Sequence, residues 1–309
     1  MRLLPHCPPR HDEAAWASLF QGVEGLITTW GAPRLTPAVL ARNTTLRIVG
    51  HAAGSVTGIV SGELYQRGVR VVTANEEMAY SVAQWSLMMT QVAARRLTDY
   101  AQFGDAGALT WEGADTAVRG LHTSTLGAWG MGAVVRHLVP LLRVLEPAAI
   151  LVHSDRMTPA HAAELGVTPV SFDELFARCD ILHLAESLTR DTLGRVGAAE
   201  LGSLPDGATL INAGRAALVQ ESALLDELRR GRIQAILDVH YDEPLPADSP
   251  FRGLRNVVMT PHNAGRGRSE FFVPVVLDEF HRHFTGQPLL HEITAGAAAR
   301  MTDESLMVR

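Results

Sequence analysis

Cysteine is scarce: Cys7 and Cys179 are the only two in 309 residues. Two thiols cannot build a disulfide framework or a cysteine-based zinc site, so a reducing compartment is the simplest reading. An excess of positive charge is missing as well. Lys+Arg 27 stand against Asp+Glu 33, a formal net charge of −6, which gives no general attraction for nucleic acid or an anionic membrane. No stretch is long and apolar enough to span a bilayer, and the start, Met1-Arg-Leu-Leu-Pro-His-Cys7, lacks the apolar run of a signal peptide. These features predict a cytoplasmic protein. Repeats and low-complexity tracts are also lacking. What is present is 47% hydrophobic and 19% charged residues, enough for a substantial core in two domains or one large one.

Short β-branched runs alternate with longer helical patterns. Strands are predicted at 25–30, 46–50, 69–73, 149–153, 181–184, 208–212, 235–239 and 256–260. Most are apolar throughout, the pattern of parallel strands covered on both faces by crossover helices, hence an α/β fold. Ser171-Phe-Asp-Glu174 opens a helix with a capping-box signature, and the run from Glu221 to Arg230 ends in basic residues before Gly231. A long helical pattern covers 79–100 and is followed by Gly104, Gly107 and Gly113, which puts a domain boundary near residue 97. Residues 270–284 are helical again and could return to pack on the first domain, and 295–309 reads as a partly ordered tail.

Open parallel sheets bind ligands beyond the carboxyl ends of their strands. Three consecutive predicted strands end in residues capable of chemistry: Ala213-Gly-Arg215, Tyr241-Asp-Glu243 and Pro261-His262. A guanidinium, a carboxylate and an imidazole would share one edge. Arginine grips a carboxylate with paired hydrogen bonds, histidine moves protons near neutral pH, and a neighbouring glutamate sets the histidine tautomer. Together they suit proton-coupled reduction of a keto acid. Each residue alone reads more simply as a surface ion pair or a turn cap; the shared edge favours the chemical reading.

Residues 120–135 read as a strand, a glycine turn and a helix start, the setting in which backbone N–H groups hold a pyrophosphate. By itself the segment fits a plain connecting turn equally well. His281 and His283 are spaced i,i+2, so on a helix their rings diverge and no metal site is expected.

Three blocks in order and correctly spaced carry a specific likeness: Leu210-Ile-Asn-Ala-Gly-Arg215, Leu237-Asp238-Val-His-Tyr-Asp-Glu243-Pro and Asn256-Val-Val-Met-Thr-Pro-His262-Asn-Ala-Gly265. The chain resembles the D-isomer-specific 2-hydroxyacid dehydrogenases over nearly its whole length. That resemblance implies two Rossmann-like domains: a flavodoxin-like substrate domain, 1–96 plus 276–309, and a doubly wound dinucleotide-binding domain, 97–275. Only about one element fits in residues 1–24, so the substrate domain is expected to lack the usual first strand. The resemblance further implies an active site in the interdomain cleft, a homodimer and an NAD(P) cofactor. Arg215 would bind the substrate carboxylate and polarise the carbonyl, with His262 as acid or base and Glu243 beside it. His51, Ala53, Gly54, Ser55 and Met78 would line the substrate from the other domain. Gly130, Met131, Gly132, Ala133 and Val134 would hold the pyrophosphate, with Ser187, Thr192 and Ala213 along the cofactor and Asp238 on the nicotinamide carboxamide.

The departures from the family pattern are equally specific. Val135 takes the place of the third glycine of the phosphate turn. The adenosine ribose position falls in His153-Ser154-Asp155-Arg156, which leaves NAD and NADP open: Ser154 with Arg156 suits a 2′-phosphate, Asp155 a ribose hydroxyl pair. Met78 replaces an asparagine, Gln84 a glutamate, Val56-Thr57 an Asp-Asn pair, and Ala185 and Ser187 a histidine and a proline. Arg215, Glu243 and His262 survive these changes, which points to altered specificity. Arg266 and Arg268 directly follow the His262 block and could grip a second anionic group on the substrate. The expected function is interconversion of a small 2-keto acid and a D-2-hydroxy acid; the rival reading is a catalytically silent dinucleotide-binding or regulatory protein on the same fold.

Overall fold

A computed structural model describes residues 7–97, 118 and 120–307 of the chain. It divides into two compact units, Met1–Met78 with Arg268–Ser305, and Ala79–Gly267 with Leu306–Arg309. The expected glycine-marked boundary stretch, with Gly104, Gly107 and Gly113, lies outside the described residues.

The first unit holds three parallel strands, β1 (Gly25–Thr28), β2 (Ile48–His51) and β3 (Arg70–Thr73), in the order β1-β2-β3. Alternating residues serve opposite faces. Leu26, Val49 and Val71 join Trp16, Leu35, Leu40 and Leu64 in one core, while Ile27 and Ala52 meet Phe272 and Val276 in another. Gly50 is required there: a Cβ would stand 2.2 Å from Val276 Cγ1, so its absence lets the helix Phe272–Phe284 lie against the sheet. The C-terminal helix therefore packs on this unit, as its sequence pattern suggests. Part of the expected tail is ordered against this core. Thr294 caps a short helix, Ala295–Ala298, and Ala298 is buried in the core beside Ile293 and Met301.

The second unit is a seven-stranded parallel sheet. In chain order its strands are β4 (Thr125–Trp129), β5 (Ala149–His153), β6 (Thr168–Pro169), β7 (Ile181–Leu184), β8 (Thr209–Asn212), β9 (Gln234–Leu237) and β10 (Val257–Met259). Across the sheet they run β10-β9-β8-β7-β4-β5-β6. The chain reverses direction between β4 and β7, and that topological switch opens a crevice at the carboxyl ends of the strands. Successive residues of β7 and β8 feed two different cores, Leu182 and Leu210 into one, Ile181 and Ile211 into the other. Both faces are thus buried, which is why these strands read as unbroken apolar runs. Only β6, two residues long, has no counterpart among the predicted strands.

Helices close both faces. The capping box at Ser171 forms: its hydroxyl accepts from Glu174 N, and the Glu174 carboxylate accepts from Ser171 N. The long helix runs Asn75–Ala94, and Ala83, Trp85, Met89 and Ala93 pack in the core of the second unit. That apolar face assigns the helix from Ala79 onward to the second unit, so the first division falls between Met78 and Ala79 where 96/97 was expected; the second falls between Gly267 and Arg268 where 275/276 was expected.

Candidate active site

Strands β8, β9 and β10 are neighbours and parallel, so their carboxyl ends lie on one edge of the sheet. Arg215 follows β8, Glu243 follows β9 and His262 follows β10. The turn after β8 is braced by its own asparagine: Asn212 donates to Arg215 O at 3.0 Å and accepts from Gly214 N at 3.0 Å. The Arg215 guanidinium donates to Gly214 O at 2.7 Å.

His262 and Glu243 are joined by a 2.7 Å contact between Nδ1 and Oε2. Glu243 Oε1 accepts from His240 N at 3.1 Å. Burial raises the Glu243 pKa, yet the hydrogen bonds from His262 and the His240 backbone outweigh it and hold the group below its ordinary value. Glu243 is therefore ionised at neutral pH and accepts the proton on Nδ1, which leaves His262 Nε2 for a substrate.

The His262 backbone is left-handed, with φ 51. A non-glycine residue holds such a conformation only when its surroundings enforce it. Two buried side chains do so. Asp238, 1% exposed, accepts from Thr260 Oγ1 at 2.5 Å, Asn263 N at 3.0 Å and Ala264 N at 2.9 Å, bracketing His262 on both sides. Ser81, from the long helix, donates to Ala264 O at 2.7 Å and accepts from Gly267 N at 2.9 Å. The Asp238 carboxylate, which the resemblance sets on the nicotinamide carboxamide, also holds the histidine segment through three of its acceptor sites. Ser81 in this role is absent from the sequence reading, and no local pattern announces a contact across 183 residues.

At the topological switch, β4 ends in the turn Gly130-Met131-Gly132 before the helix Ala133–Arg143. Gly130 has φ 120, and a Cβ there would stand 2.5 Å from Ala185 O. Gly132 caps the helix without a side-chain hydrogen bond, and a Cβ on it would meet nothing within 4 Å. The first-turn N–H groups, with Ala133 and Val134, therefore border open space, and the cradle fits a dinucleotide pyrophosphate. Val135 points the other way, fully buried with Leu126, Leu138 and Val139. Ala213, after β8, packs partly buried against that same core. Thr192 braces the loop after β7, donating to Ser187 O at 2.7 Å and accepting from Thr189 N at 2.8 Å.

Ser154 follows β5, and its hydroxyl accepts from Arg156 N at 3.3 Å. Asp155 is exposed, with His153 Nε2 at 3.7 Å and Arg195 Nη1 at 3.8 Å. Arg156 stands 4.0 Å from Glu186.

The first unit carries the remaining residues of the sequence reading. His51 is buried, its Nδ1 is 3.0 Å from Thr28 Oγ1, and burial lowers its pKa to about 4, so it is neutral near pH 7. Thr73 Oγ1 donates to Ala53 O and Gly54 O at 2.7 and 2.8 Å, and Ser55 Oγ donates to Thr302 O at 2.8 Å. A Cβ on Gly54 would stand 2.9 Å from Met78 Sδ. Among the described residues the backbone N–H groups of Gly54 and Ser55 have no acceptor. Arg268 is bound to Glu77 at 2.6 Å and counted with this unit, whereas Arg266 is exposed and counted with the other.

The sequence profile of the D-isomer specific 2-hydroxyacid dehydrogenase NAD binding domain matches residues 87–264. Glyoxylate/hydroxypyruvate reductase B of Yersinia enterocolitica is 32% identical over 249 residues, 79% of this chain and 75% of that protein. D-3-phosphoglycerate dehydrogenase of Archaeoglobus fulgidus is 30% identical over 74% of this chain, which spans only 43% of that longer protein. In fold, the chain is similar to a D-isomer specific 2-hydroxyacid dehydrogenase from Xanthobacter autotrophicus, solved with NADPH and MES, with a TM-score of 0.72 at 24% identity over 90% of this chain and 86% of that one. With that profile covering more than half its length, the chain belongs to the D-isomer-specific 2-hydroxyacid dehydrogenase family.

Proposed function

We propose that the protein is an NAD(P)-dependent oxidoreductase that interconverts a small 2-keto acid and a D-2-hydroxy acid. The observation that carries this reading is the His262–Glu243 pair, held at 2.7 Å on the same sheet edge as Arg215. The cofactor, when bound, supplies the hydride. Arg215 binds the substrate carboxylate with a forked pair of hydrogen bonds and polarises the adjacent carbonyl. In reduction His262 gives its Nε2 proton to the carbonyl oxygen; in oxidation it takes that proton back from the hydroxyl. Glu243 accepts from Nδ1 throughout, fixing the tautomer and offsetting the imidazolium charge. The unbonded N–H groups of Gly54 and Ser55 are suited to a carboxylate, and exposed Arg266, without a side-chain partner among the described residues, to a second anionic group on the substrate.

A homodimer and a cytoplasmic setting belong to the same proposal; both cysteines are free thiols, which suits a reducing compartment. The test is oxidation of NADH and NADPH, followed by absorbance, with a panel of mono- and dianionic 2-keto acids, parent against His262→Ala. Turnover that vanishes in the variant is expected. Cofactor binding by calorimetry without turnover on any 2-keto acid would replace this reading with that of a silent dinucleotide-binding protein. Light scattering reads the oligomeric state.

A further inference from the structure

We propose that the carboxyl end of β5 is a 2′-phosphate subsite, so that this chain selects NADPH over NADH; the inference rests on the dinucleotide reading above. In a dinucleotide-binding βαβ unit, an acid about twenty residues beyond the glycine turn accepts from the ribose hydroxyls of NAD, and a nearby arginine receives the 2′-phosphate of NADP. Here the residue after β5 is Ser154, only 8% exposed and uncharged. The neighbouring acid stands in solvent, within 4 Å of two basic side chains and hydrogen-bonded to neither. The Asp155 side chain is 80% exposed, with Oδ1 toward His153 Nε2 and Oδ2 toward Arg195 Nη1. His153 is itself anchored, donating from Nδ1 to Val170 O at 3.0 Å.

Two guanidiniums border the same strand end. Arg156 lies two residues beyond Ser154, and its side chain is 48% exposed. Arg195 rests over the rings of Phe172 and Trp129, 4.4 and 5.9 Å from their centroids, which covers its face and leaves its N–H edge to donate. Their acids, Glu186 and Asp155, stand at 4.0 and 3.8 Å, beyond hydrogen-bond length. Among the described residues neither side chain makes a hydrogen bond. Glu186 already accepts from Ser187 N at 2.8 Å. The site thus offers a hydroxyl and two guanidiniums, each in a long ion pair without a hydrogen bond, to a dianion that can bond them more closely than Glu186 and Asp155 do.

The probes are adenosine 2′,5′-bisphosphate against 5′-AMP, and NADPH against NADH, titrated by calorimetry into the full chain. The 2′-phosphorylated member of each pair is expected to bind on the order of 10- to 100-fold tighter, the size of one or two charge-assisted hydrogen bonds. Arg156→Ala should collapse that ratio, and Ser154→Asp should invert it; circular dichroism confirms that the variants are folded. Equal or tighter binding of 5′-AMP and NADH by the parent overturns the inference and leaves the dinucleotide reading standing. A preference that survives in the Arg156→Ala, Arg195→Ala double variant overturns it as well. Failure of both NADH and NADPH to bind sinks the dinucleotide reading and this inference with it.

Discussion

Replacing Asp238 tests whether His262, the proposed acid and base, is held from beneath. Its carboxylate is buried and receives three donors from residues 260–264. In Asp238→Ala the Thr260 hydroxyl can turn to another acceptor, but the Asn263 and Ala264 N–H groups lose theirs, and Ala264 is buried. At about 1.5–3 kcal/mol for each hydrogen bond to a charged group, the loss of two is about 3–6 kcal/mol. For a unit of this size that lowers the melting temperature by roughly 6–12 °C at the lower bound. Asp238→Asn keeps the shape, but its amide NH2 must face one of the donors, for about 1–3 kcal/mol. Turnover should fall in both variants, because the left-handed His262 backbone loses its brace on both sides. Thermal melting by circular dichroism reads the stability and absorbance of the reduced cofactor reads the rate. An Asp238→Ala protein that melts within about 2 °C of the parent would refute the clamp, whatever its activity, because no penalty of this size could then exist.

Glu243→Gln retains an acceptor for His262 Nδ1 but removes the charge, so kcat should drop about 100-fold, while stability changes by less than about 1 kcal/mol because both side chains are partly exposed. Melting temperature and kcat measured on one preparation check the split. His183 is buried on β7 with Nε2 3.0 Å from Thr90 Oγ1, and burial lowers its pKa from 6.5 to about 4. The unfolded chain binds this proton below pH 6.5 and the folded chain only below about 4, so stability is full above 6.5 and falls as the pH drops through that window, by about 3 kcal/mol in all. Melting curves from pH 4 to 8 should show the slope, flattened in His183→Gln. Val135→Gly restores the glycine pattern of the phosphate turn yet empties a fully buried site in a helix, at about 3 kcal/mol. Calorimetric titration with NADH and NADPH should show no gain in affinity, since Val135 faces the core and Gly132 faces the open space.

The strands, the parallel α/β class and the three side chains proposed for catalysis were legible in the sequence, because those signals are local. An apolar run buried on both faces, a glycine turn before a helix and a charged residue just past a strand can each be read without knowing what lies opposite. Strand order adds that consecutive parallel strands carry Arg215, Glu243 and His262 to one edge. What holds and surrounds those groups depends on long-range contacts. Ser81 and Asp238 reach residues 260–267 from a distant helix and another strand, contacts that no spacing in the chain encodes. The same is true of Asp155, whose letter suits a ribose but whose carboxylate is turned toward His153 and Arg195, a residue 40 positions away. Burial was equally invisible: Val135 reads as a flaw in a phosphate turn, and the fold makes it core. Periodicity reports which way a residue faces within its own element, whereas partners across elements exist only once the chain has closed.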